Sequence, residues 1–400
     1  MVMTTHVFKR TQLAERMAQR ILETTAGSAS ASGLFLAAPR RTGKSTFLRE
    51  DLRPQLVKSG AYVIYVDLWE DKGADPGDVI VSAVREVLAK HEGVVTRLAR
   101  AAGMEKLNVA GMAFSLDRIG LGLSVSIRAA LAELSDEVKC PIVLIIDESQ
   151  HAITTDMGYN ALYALKAARD ELNGSRHHGL RIVATGSNQD KLAMLRNSKD
   201  QAFFGAPLVP FPSLGKDYVE WFCNGVGLPA PLNPVEVETL FDRAGRRPEI
   251  LSAAADALRF DFELESKEVP TRFASAVEEQ IKAAEMQTLR VIHALTPLQS
   301  TVLRVLAARK EHFAPFESAT MSTYADVLAA IAPDEQLKPD VSNVQQALVA
   351  LQEKALIWKE RRGVYSLEEL ATAELLAQNQ LLDVVPERLG DEASKRGWRP

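Results

Sequence analysis

The chain has 400 residues, which exceeds one ordinary hydrophobic core, so we predict two or three domains. Its composition is that of a globular protein, with 46% hydrophobic, 25% charged and 6% aromatic residues. The net charge of −5 argues against a surface that is uniformly basic for nucleic acid, but it leaves room for a local basic face.

The cysteines and the N-terminus indicate the compartment. Cys140 and Cys223 stand far apart and outside any CxxC pair, so neither a disulfide framework nor a zinc site is indicated. Residues 1–16 lack the apolar core of a signal peptide, and no run approaches the roughly 20 apolar residues of a spanning helix. We expect a cytoplasmic protein without a membrane segment.

Apolar runs alternate with helical patterns over the first half of the chain. The strands are expected at residues 34–38, 61–68, 141–146, 180–184 and 207–211. The helices are expected at residues 8–24, 44–56, 75–91 and 158–173, with a hairpin insertion at 104–123. This alternation predicts an α/β fold, with a parallel sheet covered by helices on both faces.

The second half of the chain is predicted to be helical. After Ser213 the pattern contains helices only, and a long amphipathic helix spans residues 272–295. Thr296 and Pro297 then open a new unit with helices at 296–308, 322–332 and 342–354. Residues 355–369 follow as strand, turn and strand.

The segment APRRTGKST joins the first strand to a helix and predicts a phosphate-binding loop. Free amides and the dipole at a helix start favour an anion, and Gly43 lets the backbone approach it. Lys44 would bridge the β- and γ-phosphates, and Ser45 would ligate Mg²⁺. The binding residues are expected to be Ala38, Pro39, Arg40, Arg41, Thr42, Gly43, Lys44, Ser45 and Thr46. The alternative is a structural strand–turn–helix with an exposed lysine.

Ala38 occupies the position where this loop usually begins with glycine. An added methyl group is tolerated if the backbone there has a negative φ.

Two acids follow the apolar run PIVLII. Asp147 would hold the hydrated Mg²⁺ and Glu148 would polarise the attacking water, provided that this strand neighbours the strand of the phosphate loop. The alternative is an ordinary loop. Asp67 ends the second strand, where it either orients a partner or water or simply terminates the strand.

Three further polar positions are candidates for contacts with the phosphates. Ser187 or Asn188, after the fourth strand, would position water, and the alternative for both is a helix N-cap. Arg246 or Arg247, at a helix start, would reach the phosphates, and the alternative is a solvated helix start. Arg196 is a candidate to act on the nucleotide of a neighbouring copy.

The ordered set APRRTGKST, YVDLW, VLIIDESQ, VATGSN and AGRRPEIL resembles the AAA+-type P-loop ATPases. It is most similar to their archaeal-ATPase and STAND-like branch, with kinship to Cdc6-like origin-recognition proteins and transposition ATPases. The resemblance covers residues 8–290. It implies Walker A at 38–45 and Walker B at 143–148, with sensor 1 at Ser187 or Asn188 and sensor 2 at Arg246 or Arg247. The implied cofactors are ATP and Mg²⁺, and no arginine finger is assigned.

The resemblance implies an ATPase whose catalytic residues are Lys44, Glu148, Asn188 and Arg247, with Mg²⁺ on Ser45 and Asp147. We predict a P-loop ATPase core at residues 1–212, a helical lid at 213–290, a winged helix at 291–371 and a tail at 372–400. The nucleotide state would control DNA or partner binding through the winged helix. The alternative is a slow STAND-type switch that recruits a protein partner without binding DNA. A homo-oligomer is compatible with both.

Three helices followed by a hairpin resemble a winged helix-turn-helix, whose third helix enters the major groove in DNA-binding versions. The side chains expected to contact double-stranded DNA are Ser342, Asn343, Gln345, Gln346, Lys359, Arg361 and Arg362. Acids roughly cancel bases across residues 295–370, and the third helix has no arginine. Many winged helices mediate protein contacts only, which is the alternative here.

Overall fold

The computed structural model of the chain describes residues 7–23, 33–38, 41–71, 73–101, 116–174, 176–187, 189–196, 201–334, 338–361, 363–368 and 371–386. The chain divides into two compact units, Met1–Ala274 and Ser275–Pro400. Among the described residues, no helix is both long and apolar enough to cross a membrane.

Five parallel strands form one sheet in the described part of the first unit. They are Leu34–Ala37 (β1), Tyr62–Asp67 (β2), Ile142–Asp147 (β3), Leu180–Gly186 (β4) and Leu208–Pro210 (β5). Their order is β2-β3-β4-β1-β5, which confirms the predicted parallel α/β sheet. The expectation that the acid-bearing strand neighbours the phosphate-loop strand is wrong, because β4 lies between β1 and β3. The carboxyl ends still meet at one edge.

Helices cover both faces of this sheet. They are Thr11–Leu22 (α1), Lys44–Phe47 (α2), Arg53–Lys58 (α3), Pro76–Leu88 (α4), Glu92–Ala101 (α5), Ile127–Val138 (α6), Asp156–Gly174 (α7) and Gln189–Met194 (α8). Alternate residues of β3 enter different core clusters: Leu144 packs in the cluster of α4, α6 and α7, and Ile145 packs in that of α1 and α3. The continuous apolarity of the strand follows from this two-sided burial.

Three of these helices, α5, α6 and α8, were not among the elements predicted from the sequence. The signal for α6 was present, since Ser126 caps its start by accepting a hydrogen bond from the Ala129 amide at 3.2 Å. Most of the predicted hairpin insertion at 104–123 lies outside the described residues. Its described end contains the 3₁₀ turn Leu116–Arg118, and Ile119 forms a parallel bridge with Val125.

Helices alone follow the sheet, as predicted. They are Lys216–Gly225 (α9), Pro234–Arg243 (α10), Pro248–Arg259 (α11) and Val269–His293 (α12). The division into two units falls inside α12, so the boundary between lid and winged helix at residue 290 stays a prediction.

The second unit has the predicted winged-helix architecture. Its elements are Pro297–Arg309 (α13), Ser318–Ile331 (α14), Val341–Glu353 (α15), Ile357–Arg361 (β6), Val364–Leu367 (β7) and Ala371–Gln378 (α16). Thr296 and Gln299 close a capping box at the start of α13. Leu376 of α16 is buried in the same core as Val302 and Leu348, so the stretch predicted to be a tail begins with a packed helix.

Candidate functional site

The described part of the loop after β1 has a backbone that is compatible with the predicted phosphate loop. Ala38 is buried in the core cluster that holds Phe47, and its amide donates to the Gly186 carbonyl at 3.1 Å. Ala38 does not adopt a positive φ, so its methyl group is accommodated. Gly43 has a φ of 83° and caps α2, which is a conformation that glycine adopts without strain. Pro39 and Arg40 lie outside the described residues.

Lys44, the first residue of α2, is buried at 5% exposure, so the alternative of an exposed lysine is wrong. Its ammonium donates to Asp147 Oδ1, to Glu148 Oε1 at 2.9 Å and to Thr185 Oγ1 at 3.1 Å. A lysine ammonium has three donors, and here each has an acceptor. The predicted lysine and acid pair therefore meet in one buried cluster.

Asp147 ends β3 with no exposed surface and collects several donors. Lys44, the Thr185 hydroxyl and the Glu148 amide donate to Oδ1, and the Tyr65 hydroxyl donates to Oδ2 at 3.1 Å. Burial alone would raise the pKa of Asp147, but the Lys44 charge and the hydrogen bonds outweigh it and lower the pKa. The carboxylate therefore stays ionised.

Glu148 follows in a left-handed conformation with a φ of 53°, which is uncommon for a residue other than glycine. Its Oε1 accepts from Lys44, and its Oε2 accepts from the amide of Gln150 and from Ser187 Oγ at 3.0 Å. Burial acts to raise the pKa of Glu148, and the charge and hydrogen bonds of Lys44 and Gln150 lower it overall. The strained backbone is held by contacts on both carboxylate oxygens.

The end of β4 lies between the loop and the acids. Thr185 and Gln150 were missed, although Thr185 is the one polar residue of the run RIVAT after its arginine. Ser187, one of the two residues predicted for sensor 1, contacts Glu148, and Asn188 lies outside the described residues. A Cβ at Gly186 would meet Gln150 Oε1 at 2.3 Å, so any larger residue here would displace this amide side chain.

The two arginines of the predicted lid differ in position. Arg246 lines a cleft of about 310 Å³ together with Thr42 of the loop and Phe211. Its guanidinium donates to the Leu214 carbonyl at 2.9 Å and pairs with Asp242 at 2.7 Å. Arg247 is the N-cap residue of α11, and its Nε donates to the Ala244 carbonyl at 3.1 Å. Of the two arginines, Arg246 is therefore the one that shares a cleft with Thr42 of the predicted phosphate loop.

Arg196 donates to the Ala206 carbonyl within its own chain. Its proposed action on a neighbouring copy stays a prediction.

The residues predicted to hold Mg²⁺ fit that ion by their chemistry. Ser45 hydrogen-bonds Asp147 through its side chain, which brings a hydroxyl and an ionised carboxylate together. Mg²⁺ prefers such hard oxygen ligands and is typically held by one or two carboxylates together with substrate phosphates.

The residues predicted to contact DNA belong to the second unit. Ser342 and Gln346 are exposed at the start of α15, and Gln345 is half-buried. The side-chain amide of Asn343 instead donates to the Lys338 carbonyl and to Asp340, each at 3.1 Å. Lys359 and Arg361 lie in β6, and Arg362 lies outside the described residues.

Comparisons with known proteins show the fold. No protein-family model and no curated protein matches the chain. A Walker-type ATPase of Pyrococcus abyssi is similar at 18% identity, with a TM-score of 0.51, over 92% of this chain and 95% of that chain. The ORC2 protein of Aeropyrum pernix in its ADP form is similar at 16% identity, with a TM-score of 0.55, over 95% of each chain. The chain shares its fold with these two proteins.

Proposed function

We propose that the chain binds ATP with Mg²⁺ at the carboxyl edge of its sheet and hydrolyses it. The observation that carries this proposal is the contact of Lys44 with Asp147 and Glu148, residues that stand 103 and 104 positions away in the sequence. Two proteins with this fold support it, since one is named a Walker-type ATPase and the other was solved in an ADP form.

The phosphates would enter beside Gly43 and Lys44. Because the three donors of Lys44 already have acceptors, a triphosphate must replace at least one of them. Ser45 and Asp147 would hold the Mg²⁺, which would offset charge on the phosphates when bound. Loop amides and Thr46 would complete the phosphate contacts.

Glu148 would accept the proton of the attacking water, because the Lys44 charge and the hydrogen bonds of Lys44 and Gln150 lower its pKa despite its burial and keep it ionised at neutral pH. Ser187, which donates to the same carboxylate, would position the attacking water, and Asn188 would assist in positioning it. Arg246 would reach the nucleotide from the cleft that it shares with Thr42. Arg247, although predicted as catalytic, has a helix-capping position, so we give it the smaller role.

We further propose that the nucleotide state controls binding of duplex DNA or of a protein partner by the winged helix. The exposed Ser342 and Gln346 at the start of α15 favour a polar ligand, whereas the Asp340 carboxylate at the same helix end would repel phosphates. A slow switch that recruits a protein is the alternative. Gel shifts with duplex DNA, with and without ATP across a salt series, separate the two. Mobility that does not change with ATP or salt would count against DNA binding.

The test of the nucleotide site compares wild type with Glu148→Gln. We expect both to bind Mg·ATP in isothermal titration and only the wild type to release phosphate. A wild type that shows no heat of binding and no thermal stabilisation with Mg·ATP would contradict the proposal.

A further inference from the structure

The two oxygens of the Asp147 carboxylate are held by different parts of the fold. Oδ1 faces Lys44 and Thr185, whereas Oδ2 accepts the hydroxyl of Tyr65 at 3.1 Å. Tyr65 lies on β2, two residues before Asp67, and Asp67 is in register with Asp147. A residue of the adjacent strand therefore contacts the proposed metal ligand from the side away from the phosphate loop strand.

The direction of the hydrogen bonds is fixed by the chemistry of the groups. Arg49 Nε donates to the Tyr65 oxygen at 3.1 Å, and an arginine has no acceptor. The single proton of Tyr65 is therefore available for Asp147, which, as a carboxylate, can only accept.

Arg49 is positioned by an irregular turn of the helix that follows the phosphate loop. It lies in the π-helical segment Leu48–Leu52 between α2 and α3, a type of turn that is rare and frequent at functional sites. Its guanidinium lies over the Tyr65 ring at 5.1 Å, and its Nη2 donates to Asp67 at 2.7 Å. Asp67 also accepts a hydrogen bond from the Trp69 amide at 3.0 Å, which fixes the carboxylate that Arg49 contacts.

We propose that Tyr65 is a positioning residue for Asp147 and that Arg49 in turn orients Tyr65. This inference rests on the proposed function, since it concerns the residue that would hold Mg²⁺. The Tyr65 hydrogen bond fixes the rotation of the Asp147 carboxylate, so that the same oxygen always faces Lys44. Without it Oδ2 loses the Tyr65 hydroxyl and the carboxylate is held through Oδ1, so the metal ligand is less well preorganised.

The test is Tyr65→Phe, with Tyr62→Phe as the matched control. Tyr62 lies on the same strand but packs against the core of the opposite face, where its hydroxyl bonds His91 Nε2 at 3.0 Å. ADP affinity is measured by isothermal titration over a Mg²⁺ series and in excess EDTA. We expect Tyr65→Phe to raise about tenfold the Mg²⁺ concentration at which the enhancement of ADP affinity is half-maximal. The ADP affinity measured in excess EDTA should be unchanged. Tyr62→Phe should match wild type.

Arg49→Gln, at a side chain that is 48% exposed, provides a second variant that does not disturb the core. We expect a smaller increase in the Mg²⁺ requirement than Tyr65→Phe causes. The double variant should have the same Mg²⁺ requirement as Tyr65→Phe alone, because both substitutions act on one hydrogen bond. Equal Mg²⁺ requirements in wild type and Tyr65→Phe would overturn the inference while the proposed function stands. A wild type that binds no ADP would overturn both.

Discussion

Replacing Lys44 with methionine removes the cation from a cluster that contains two buried carboxylates. Asp147 is fully buried and Glu148 is 8% exposed, so neither can regain full hydration. Breaking a buried ion pair by removing one partner costs about 3–5 kcal/mol of folding free energy. For a unit of this size each kcal/mol lowers the melting temperature by roughly 3 °C, so we expect a fall of about 10 °C without nucleotide.

The pH dependence of this loss follows from the signs of the pKa shifts. In the wild type, the pKa values of Asp147 and Glu148 are lowered on folding, so their stabilisation exists above the unfolded values and is lost as pH falls through the folded ones. Without Lys44, burial dominates and raises both pKa values. Folding of the variant then favours proton uptake. The difference in stability between wild type and Lys44→Met should therefore become smaller as the pH falls from 7 to 5.

Differential scanning fluorimetry at both pH values measures this prediction. Lys58→Met, at an exposed position of the neighbouring helix α3, is the control and should change stability by less than about 0.5 kcal/mol. If Lys44→Met melted within about 2 °C of the control at pH 7, a difference of less than about 1 kcal/mol, the buried ion cluster would be refuted.

Two further predictions concern the cluster and the lid. Gly186→Ala should push the Gln150 amide away from Glu148. We expect ATP turnover to fall by about tenfold or more while ATP binding is retained. The control is Gly174→Ala, which has open space at its Cβ and should hydrolyse ATP at the wild-type rate. Steady-state phosphate release and titration calorimetry measure both quantities. Arg246→Ala should weaken ATP binding about tenfold, as loss of a charged contact does, and Arg247→Ala should weaken it less. Equal losses in calorimetry would remove the distinction between the two arginines.

The sequence was sufficient to predict the strands and to single out Lys44, Asp147 and Glu148, which the structure brings together. An apolar run followed by a loop and Lys44, and another that ends in Asp147, are strong local signals, because a strand covered on both faces leaves only its end for polar groups. The order of the strands was beyond local signals, so the position of β4 between β1 and β3 had to come from the structure.

Tyr65 and Gln150, which donate hydrogen bonds to Asp147 and Glu148, were missed for a physical reason. Tyr65 stands in the apolar run YVIYVD, where a tyrosine looks like a core residue, and only the neighbouring strand reveals its acceptor. Gln150 follows the acids in what the sequence shows as a polar loop, and its contact with Glu148 depends on the left-handed turn at that residue. Both contacts join residues through tertiary packing rather than spacing.

The most direct test of the central claim is titration of the wild-type protein with ATP in the presence and absence of Mg²⁺, alongside Glu148→Gln. The account predicts saturable binding that Mg²⁺ strengthens, equal in both proteins, with phosphate release from the wild type alone. Absence of binding by the wild type, or phosphate release by Glu148→Gln at the wild-type rate, would contradict it.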